Sequence, residues 1–387
     1  MRVQQKDNIL FVMPSFSLDG KKGYEKLVIQ WITSLKDTKN IHILNIGSNK
    51  NNVEYNNELN VTLHSCKKNI FQSILFCFIS LLRLNPLQVN YLNTSFGKKH
   101  FSKIVRDLNL KKIVFVTIRT HHLSHKVPHS KKIMLAVDSM TLNFKGKYKN
   151  SSHIKKIIYW LEYILLKLNE KKILSQYIKT VFVSRRDASI YEDLITEVIP
   201  LSTSLPAIKE PTFNANGSLM FTGNMDYEPN RSAVKWFYEN VWLPFEIENN
   251  DMKFTVCGRN ANKWDFLKNK KDIVIKSDVL DIYHEIIDCE IYIAPMQSGS
   301  GMQYKIIEAM ACARPIVSSS LGIGSIILDH HSDKLFVADN ARTTYEAITK
   351  LHSDINLRTK LGLAAKKYVS DNYSHNKVSK QVDNLFK

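Results

Sequence analysis

Acidic residues are the scarce class in this 387-residue chain. Asp and Glu number 36 against 54 Lys and Arg, which leaves a formal charge of +18. A surface so short of carboxylates draws polyanions: nucleic acid, anionic lipid or a phosphorylated substrate. Cysteine is sparse as well. Cys66, Cys77, Cys257, Cys289 and Cys312 are odd in number and show no C-x-x-C spacing, so neither a disulfide framework nor a structural zinc site is expected. A reducing, cytosolic setting fits. Long apolar runs are missing too. The most apolar stretch, IFQSILFCFISLLRL over 70–84, contains Gln72 and Ser73 and is too short to span a bilayer. The opening MRVQQKDNILFVMPSF has neither an apolar h-region nor a cleavage site, so no signal peptide is expected. What remains is 44% hydrophobic and 23% charged, the make-up of a folded soluble protein, with a length that suits two domains.

Short apolar runs alternate with helical patterns. NILFVMP (8–14), IHILNIG (41–47), VTLHS (61–65), VNYLN (89–93), IVFVTI (113–118), IMLAVDS (133–139) and TVFVS (180–184) read as strands. Residues 24–35 and 70–84 are among the predicted helices. Strands apolar on both sides, set between helices, indicate parallel sheets covered on both faces. PLSTSLPAIKEPTFNANGS (200–218), with three prolines and no periodicity, reads as a linker. Alternation restarts beyond it, and the sequence turns polar and helical from about Thr343. The expected organisation is a Rossmann-like α/β domain over 1–200, a linker over 201–215 and a second such domain over 216–370. A helical tail, 371–387, is expected to pack back on the first domain. Ligands of open parallel sheets bind beyond the carboxyl ends of the strands, so the expected site is a cleft where the two domains face each other.

QSGSGMQYKIIEAMACARPIVSS (297–319) follows the run EIYIAPM. A loop of small residues, Ser298, Gly299, Ser300 and Gly301, leads through Met302 and Gln303 into a helix. Small side chains let backbone N–H groups approach an anion, and the helix N-terminus adds partial positive charge. Lys305 stands in the first turn, where a cation reaches a diphosphate. Glu308 shares its helix face three residues on, and a carboxylate there suits the vicinal hydroxyls of a ribose. A tight turn with Lys305 and Glu308 merely solvated gives the same pattern.

GSGMQYKIIEAMACARPIVSS resembles the nucleotide-binding segment of family 4 glycosyltransferases, the large retaining group with the GT-B fold. FTGNMDYEPNRSAVKWF (221–237) is similar to the first strand–loop–helix of the C-terminal domain in the same subset, and KFTVCGRN follows in the expected order. The resemblance implies a nucleotide-sugar donor, UDP- or GDP-linked, on the C-terminal domain and an acceptor on the N-terminal one. It implies transfer with retention and without an obligatory metal or other cofactor. Glu308 matches the second glutamate of the family's E-x7-E motif, which holds the ribose. The first falls at Ser300, so half of that motif is replaced. Asn224 stands where many members carry Arg, and Pro229 and Asn230 stand near the position of a family Lys. Arg259, Arg231 and Lys305 are the cations available instead, with Lys305 and Arg259 favoured, because the leaving diphosphate gains charge as the bond breaks. Val279 matches the position whose backbone reads the base. No D-x-D follows a strand, which argues against a metal-bridged diphosphate.

In the first half, SLDGKKGYEKLVIQWI (17–32) offers a second flexible loop, with Gly20 and Gly23 beside Lys21 and Lys22. TIRTHHLSH brings Arg119, His121 and His122 to the end of a strand, and Arg119 and His121 are assigned to the acceptor or sugar side. Asp138, ending LAVDSM, is placed to orient a sugar hydroxyl or accept the acceptor's proton; a helix cap is the alternative. IKKIIYWLEYILLKLNEKKIL (154–174) is periodic, lysine-rich and aromatic. It reads either as a membrane-surface helix or as a core helix with a basic outer face. Residues 70–84, flanked by Lys67, Lys68 and Arg83, are a second such surface. The leading expectation is a cytoplasmic glycosyltransferase of surface polysaccharide synthesis, peripheral to the inner membrane face and acting on a lipid-linked saccharide. A nucleotide-sugar epimerase of the same fold and a basic nucleic-acid-binding protein are the alternatives. No DNA- or RNA-binding module is recognisable.

Overall fold

A computed structural model describes residues 6–206, 213 and 216–387, apart from 21, 150, 152, 246, 248–251, 269, 271–272, 300–302, 325 and 327–332. The chain divides into two compact units. The first is Met1–Leu201 with Val378–Lys387, and the second is Ser202–Lys377. Most of the expected linker, 207–212 and 214–215, lies outside the described residues.

The first unit is built on eight strands: β1 (Asp7–Met13), β2 (Lys39–Ser48), β3 (Asn52–Asn56), β4 (Val61–Lys67), β5 (Leu110–Val116), β6 (Lys132–Val137), β7 (Lys179–Phe182) and β8 (Thr196–Val198). Their order is β3-β4-β2-β1-β5-β6-β7-β8, parallel except where β3 runs against β4. Ile9 through Met13 of β1 are all buried, because helices cover both faces of the sheet. β3, NVEYN, was not expected from the sequence. It is an edge strand with Val53, Glu54 and Tyr55 turned to solvent, so it shows no alternation. The expected strand at 89–93 is instead part of the short helix Leu87–Asn90. The carboxylate of Glu162 accepts the N–H groups of Leu87 (2.9 Å) and Gln88 (3.0 Å), two donors that a helix start leaves unpaired. That partner is remote in sequence, and nothing local announces it.

The second unit carries β9 (Ser218–Thr222), β10 (Lys253–Gly258), β11 (Ile273–Ser277), β12 (Ile291–Ala294), β13 (Ile316–Ser318) and β14 (Phe336–Val337). They form one parallel sheet in the order β11-β10-β9-β12-β13-β14. The strand order reverses direction between β9 and β12, and loops diverge there at the carboxyl edge.

Two stretches of chain lead from one unit to the other, and they are tied together. Thr203 bridges Ser374 and donates its N–H to the carbonyl of Tyr373 at 2.9 Å, while Ser202 Oγ lies 2.5 Å from His375 Nδ1. Beyond Lys377 the helix His375–Leu385 passes into the first unit. There the ring of Phe386 sits 6.3 Å from Trp31, edge-on, and 6.4 Å from Phe11.

Candidate functional site

The carboxyl edge of the second sheet gathers four loops. After β9 the chain turns through Gly223–Tyr227 into the helix Glu228–Phe237. Asn224 builds that turn: its Oδ1 accepts the N–H of Asp226 (3.0 Å), and its carbonyl accepts from Tyr227 N–H and from Asn230 Nδ2. After β10, Gly258 has φ +136°, and a Cβ there would lie 2.2 Å from the carbonyl oxygen of Gly223. Only glycine lets the two loops touch this closely. Next in line, Arg259 accepts Met225 N–H on its carbonyl (2.9 Å) and leaves its side chain exposed. After β11, Asp278 faces the backbone N–H of Asn260, and half-buried Val279 follows. After β12 come Ser298 and Gly299. The latter has φ +124° and stands against Pro229 and Gln303. Ser300, Gly301 and Met302 lie outside the described residues.

Gln303 is buried and begins the helix Tyr304–Ala311, whose first turn receives no side-chain cap. Lys305, in that turn, is buried. Its ammonium donates to Asn230 Oδ1 at 2.5 Å, lies 4.1 Å from the centre of the Phe221 ring and is 3.9 Å from Met296 Sδ. Burial among these groups pulls its pKa down to about 7, against the opposing charge of Glu308. Glu308 is half-buried one turn on. Arg231 is committed elsewhere. It donates to the carbonyl of Met225, pairs with Asp226 at 4.0 Å and lies over the Trp264 ring.

The first unit has its own carboxyl edge. Two β-branched residues there sit in the left-handed region, Thr117 (φ 59°) after β5 and Val137 (φ 71°) ending β6. Such conformations cost about 1–3 kcal/mol each and persist where the surroundings enforce them. A register shift at Ala136 accompanies the second and aims Asp138 out of the strand. Burial, and then the neighbouring charge of Asp187, push the Asp138 carboxyl up to about 7. Asp187 is itself engaged by Ser139 N–H (2.9 Å) and the Ser184 hydroxyl. The helix cap that Asp138 was a candidate for is supplied instead by Glu170. Its carboxylate takes Met140 N–H and Thr141 N–H, both at 2.8 Å, at the start of the helix Met140–Lys149. Arg119 is half-buried and donates to Gln88 Oε1 at 2.7 Å. His121 departs from expectation. It is turned into the core, Nδ1 lies 2.9 Å from Tyr177 Oη, and burial lowers its pKa to about 3, so it is a neutral packing residue. His122 is likewise buried against the carbonyls of Val89 and Arg119. Gly23 opens the helix Gly23–Leu35 with free space where a Cβ would stand.

Residues 216–354 match the family model described as Glycosyl transferases group 1. A protein encoded in the cps region of Klebsiella pneumoniae, itself uncharacterised, is 23% identical over 319 residues, 79% of this chain and 80% of that protein. Among solved structures, sucrose-phosphate synthase of Thermosynechococcus elongatus superposes with a TM-score of 0.66 at 12% identity, over 98% of both chains. HepE of Anabaena, solved with UDP and glucose, does so at 0.60 and 12%, over 97% and 98%. Both carry two α/β domains in the GT-B arrangement.

The second unit thus matches the group 1 glycosyltransferases in sequence, and the chain shares the GT-B fold.

The second unit brings Asn224 and Lys305 together on Asn230, while Gly299 stands against Pro229 and Gln303. Asn230, Phe221 and Met296 were not singled out as a group in the sequence. They reach Lys305 from three separate segments, and only the chain turn at Asn224 hints at the first. In the first unit the buried carboxylates Asp187 and Glu170 also escaped notice, since neither stands in a motif.

Asp138 gives this protein a measurable pH signature. Between its unfolded pKa, near 4, and about 7, the native state keeps a proton that the unfolded state has lost, so native stability falls as pH rises through that window. Asp138→Asn is expected to erase this slope. It should stabilise the protein by about 1–2 kcal/mol above pH 7, after allowance for the group's partial exposure. Urea unfolding at about pH 5 and about pH 8 checks it: equal wild-type and variant slopes would show that Asp138 is ionised throughout.

Proposed function

We propose that this protein is a glycosyltransferase, that it draws its sugar from a nucleotide-diphosphate donor held at the carboxyl edge of the second unit, and that it belongs to the retaining family 4 subset. The observation that carries this reading is the buried Lys305 ammonium, seated on Asn230 and Phe221 in the first turn of an uncapped helix. Among the described residues no carboxylate lies in bonding distance of this ammonium, and a cation buried in that way is costly. An incoming diphosphate supplies the missing negative charge. As the glycosidic bond breaks, that charge grows, and Lys305 with the N–H groups of the helix start stabilises it. Glu308 holds the ribose hydroxyls, the backbone at Val279 meets the base, and Arg259, exposed at the rim, reaches the outer phosphate. Ser298 and Gly299 approach through backbone N–H groups. No metal takes part in this scheme.

The acceptor is a saccharide carried on a lipid, taken up by the first unit, where Asp138 receives or orients the acceptor proton and Arg119 lies at the sugar side. The UDP and glucose named for the HepE structure support a UDP-sugar donor, and the cps-region relative supports a role in surface polysaccharide synthesis. Among the described residues no helix is long and apolar enough to cross a membrane; a peripheral position at the cytoplasmic membrane face accords with a lipid-linked acceptor.

Calorimetric titration with UDP-sugars and GDP-sugars tests the donor half. Glu308→Gln is expected to weaken donor binding about 10- to 100-fold, since charge-assisted hydrogen bonds contribute about 1.5–3 kcal/mol each. EDTA should leave both affinity and transfer unchanged. Unaltered affinity in folded Glu308→Gln removes that residue from the site, and loss with chelator, restored by Mg²⁺ or Mn²⁺, contradicts the metal-free scheme. Donor conversion without any acceptor would identify an epimerase instead.

A further inference from the structure

The helix Ile70–Leu82 is built inside out. Phe71, Ile74, Leu75, Phe78 and Leu82 recur at helical spacing and form a single stripe. In a helix packed on a core that stripe is hidden. Here it faces solvent: Phe71 is 87% exposed, Ile74 64%, Phe78 58% and Leu82 69%. The two buried residues of the helix are Ser73 and Ser80, on the opposite side. Both are satisfied where they sit, Ser73 Oγ on the carbonyl of Asn69 (2.9 Å) and Ser80 Oγ by Asn90 Nδ2 (2.5 Å). The small inward face lets the helix dock closely, and it leaves the large apolar side chains exposed.

Charge supplies the second observation. The first unit holds 34 Lys and Arg against 15 Asp and Glu, a formal +19, whereas the second holds 20 against 21. The whole excess of the chain therefore lies in the unit that bears the apolar stripe. Around the stripe the bias is steeper still. No Asp or Glu occurs between Glu58 and Asp107, while seven Lys and Arg do, with Lys67, Lys68 and Arg83 at the two ends of the helix. The neighbouring helix His153–Leu174 repeats the pattern. It is linked to the first through Asn169 Nδ2, which donates to the carbonyl of Leu84 at 2.9 Å. Both of its carboxylates, Glu162 and Glu170, are buried as caps for other helices. What it leaves outside is Ile154, Ile157, Ile158 and Trp160, with Lys155 and Lys156 among them.

We infer that the first unit seats on an anionic lipid bilayer through the helix Ile70–Leu82, lying in the plane of the interface. The Phe71–Leu82 stripe enters the acyl boundary, and the lysines and arginine at its ends reach the head-group phosphates. An apolar, aromatic-bearing helix with basic residues at its two ends and no carboxylate suits that boundary, where apolar side chains are buried and the flanking cationic tips stay wet. A soluble protein partner would need acidic groups to meet the surrounding lysines and an apolar surface to meet the stripe; an anionic bilayer presents both over any area. The inference names the partner surface for the lipid-linked acceptor proposed above and rests on that reading. It assigns insertion to residues 70–82 ahead of 154–174, whose inner face is held in the core by Glu162, Leu165, Leu166 and Glu170.

The test uses the full chain and vesicles of phosphatidylcholine alone or with phosphatidylglycerol, without donor or acceptor. Wild type is expected to sediment with the phosphatidylglycerol vesicles and not with phosphatidylcholine alone. Phe71→Glu with Phe78→Glu should lower the bound fraction about tenfold or more at any salt concentration. Lys67→Gln with Lys68→Gln and Arg83→Gln should weaken binding chiefly at low salt, where charge acts over the longer range. If the double Glu variant fails to fold, Phe71→Trp keeps the question open to measurement: brominated acyl chains should quench its added fluorescence beyond that of wild type. Vesicle binding by the folded double Glu variant, equal binding to phosphatidylcholine alone, or a wild-type dimer that this variant splits would each overturn the proposal, the last by showing that a second copy covers the face. Vesicle binding without sugar transfer would refute the transfer reading alone. Transfer to a water-soluble acceptor by a chain that ignores vesicles would refute this one.

Discussion

Lys305→Met is expected to yield a protein at least as stable as wild type that transfers sugar about 100- to 1,000-fold more slowly, the usual loss when one preorganised charge-stabilising group is removed. The two halves of the result come from one cause. Lys305 is held in a site of Asn230, Phe221 and Met296 that lowers its pKa to about 7 from 10.5. Between those values the unfolded chain binds a proton that the native one lacks, so the stability contributed at this position rises with pH across that window and is poorest below it. Methionine has a similar stem and no charge to desolvate, so the variant should lose that pH dependence. Donor binding should show the opposite trend. The diphosphate draws a proton back onto Lys305, and wild-type affinity should therefore fall as pH climbs above about 7, while the variant stays flat. Denaturant unfolding and donor titration on either side of neutrality measure both. A folded Lys305→Met enzyme with wild-type turnover would place the diphosphate elsewhere.

Gly258→Val should cost about 3–5 kcal/mol and abolish donor-induced stabilisation, because it combines a forbidden backbone conformation with a clash. At φ +136° a β-branched residue is excluded, and its Cβ would fall 2.2 Å from the Gly223 carbonyl oxygen. The loops after β9 and β10 would separate, breaking the Met225 N–H to Arg259 carbonyl bond that joins them. Gly23→Ala is the matched control: a Cβ there meets nothing within 4 Å, so stability should change little. Thermal unfolding with and without UDP measures both variants. A Gly258→Val protein with wild-type melting would mean that the two loops are free to part.

Much of this architecture is legible in the sequence because parallel strands buried on both faces read as unbroken apolar runs, as in β1 and β12. The loop leading to Lys305 and Glu308 is legible because small residues before a helix are chemically distinctive. What escapes is whatever depends on a distant partner. VNYLN looks like a strand until Glu162 caps it as part of a helix. His121 looks like a cleft residue until Tyr177 claims it from the core. Periodicity shows that 70–82 has an apolar stripe, but it is silent on which way the stripe faces; that is set by Ser73 and Ser80 fitting close against their neighbours. The depressed pKa of Lys305 is of the same kind, since it arises from Phe221, Asn230 and Met296 converging from other segments.

The return of Val378–Lys387 to the first unit fixes an order of events during synthesis. Phe11 and Trp31 leave the ribosome before any of the second unit, yet the ring packed beside them, Phe386, is translated after all of it. Domains usually fold in turn as they emerge. Here the first unit has to wait with that seam uncovered, and with its basic, apolar face already displayed, while the second unit folds ahead of it. Until the last ten residues of this unit are made, Phe11 and Trp31 lack the ring that packs against them in the native state.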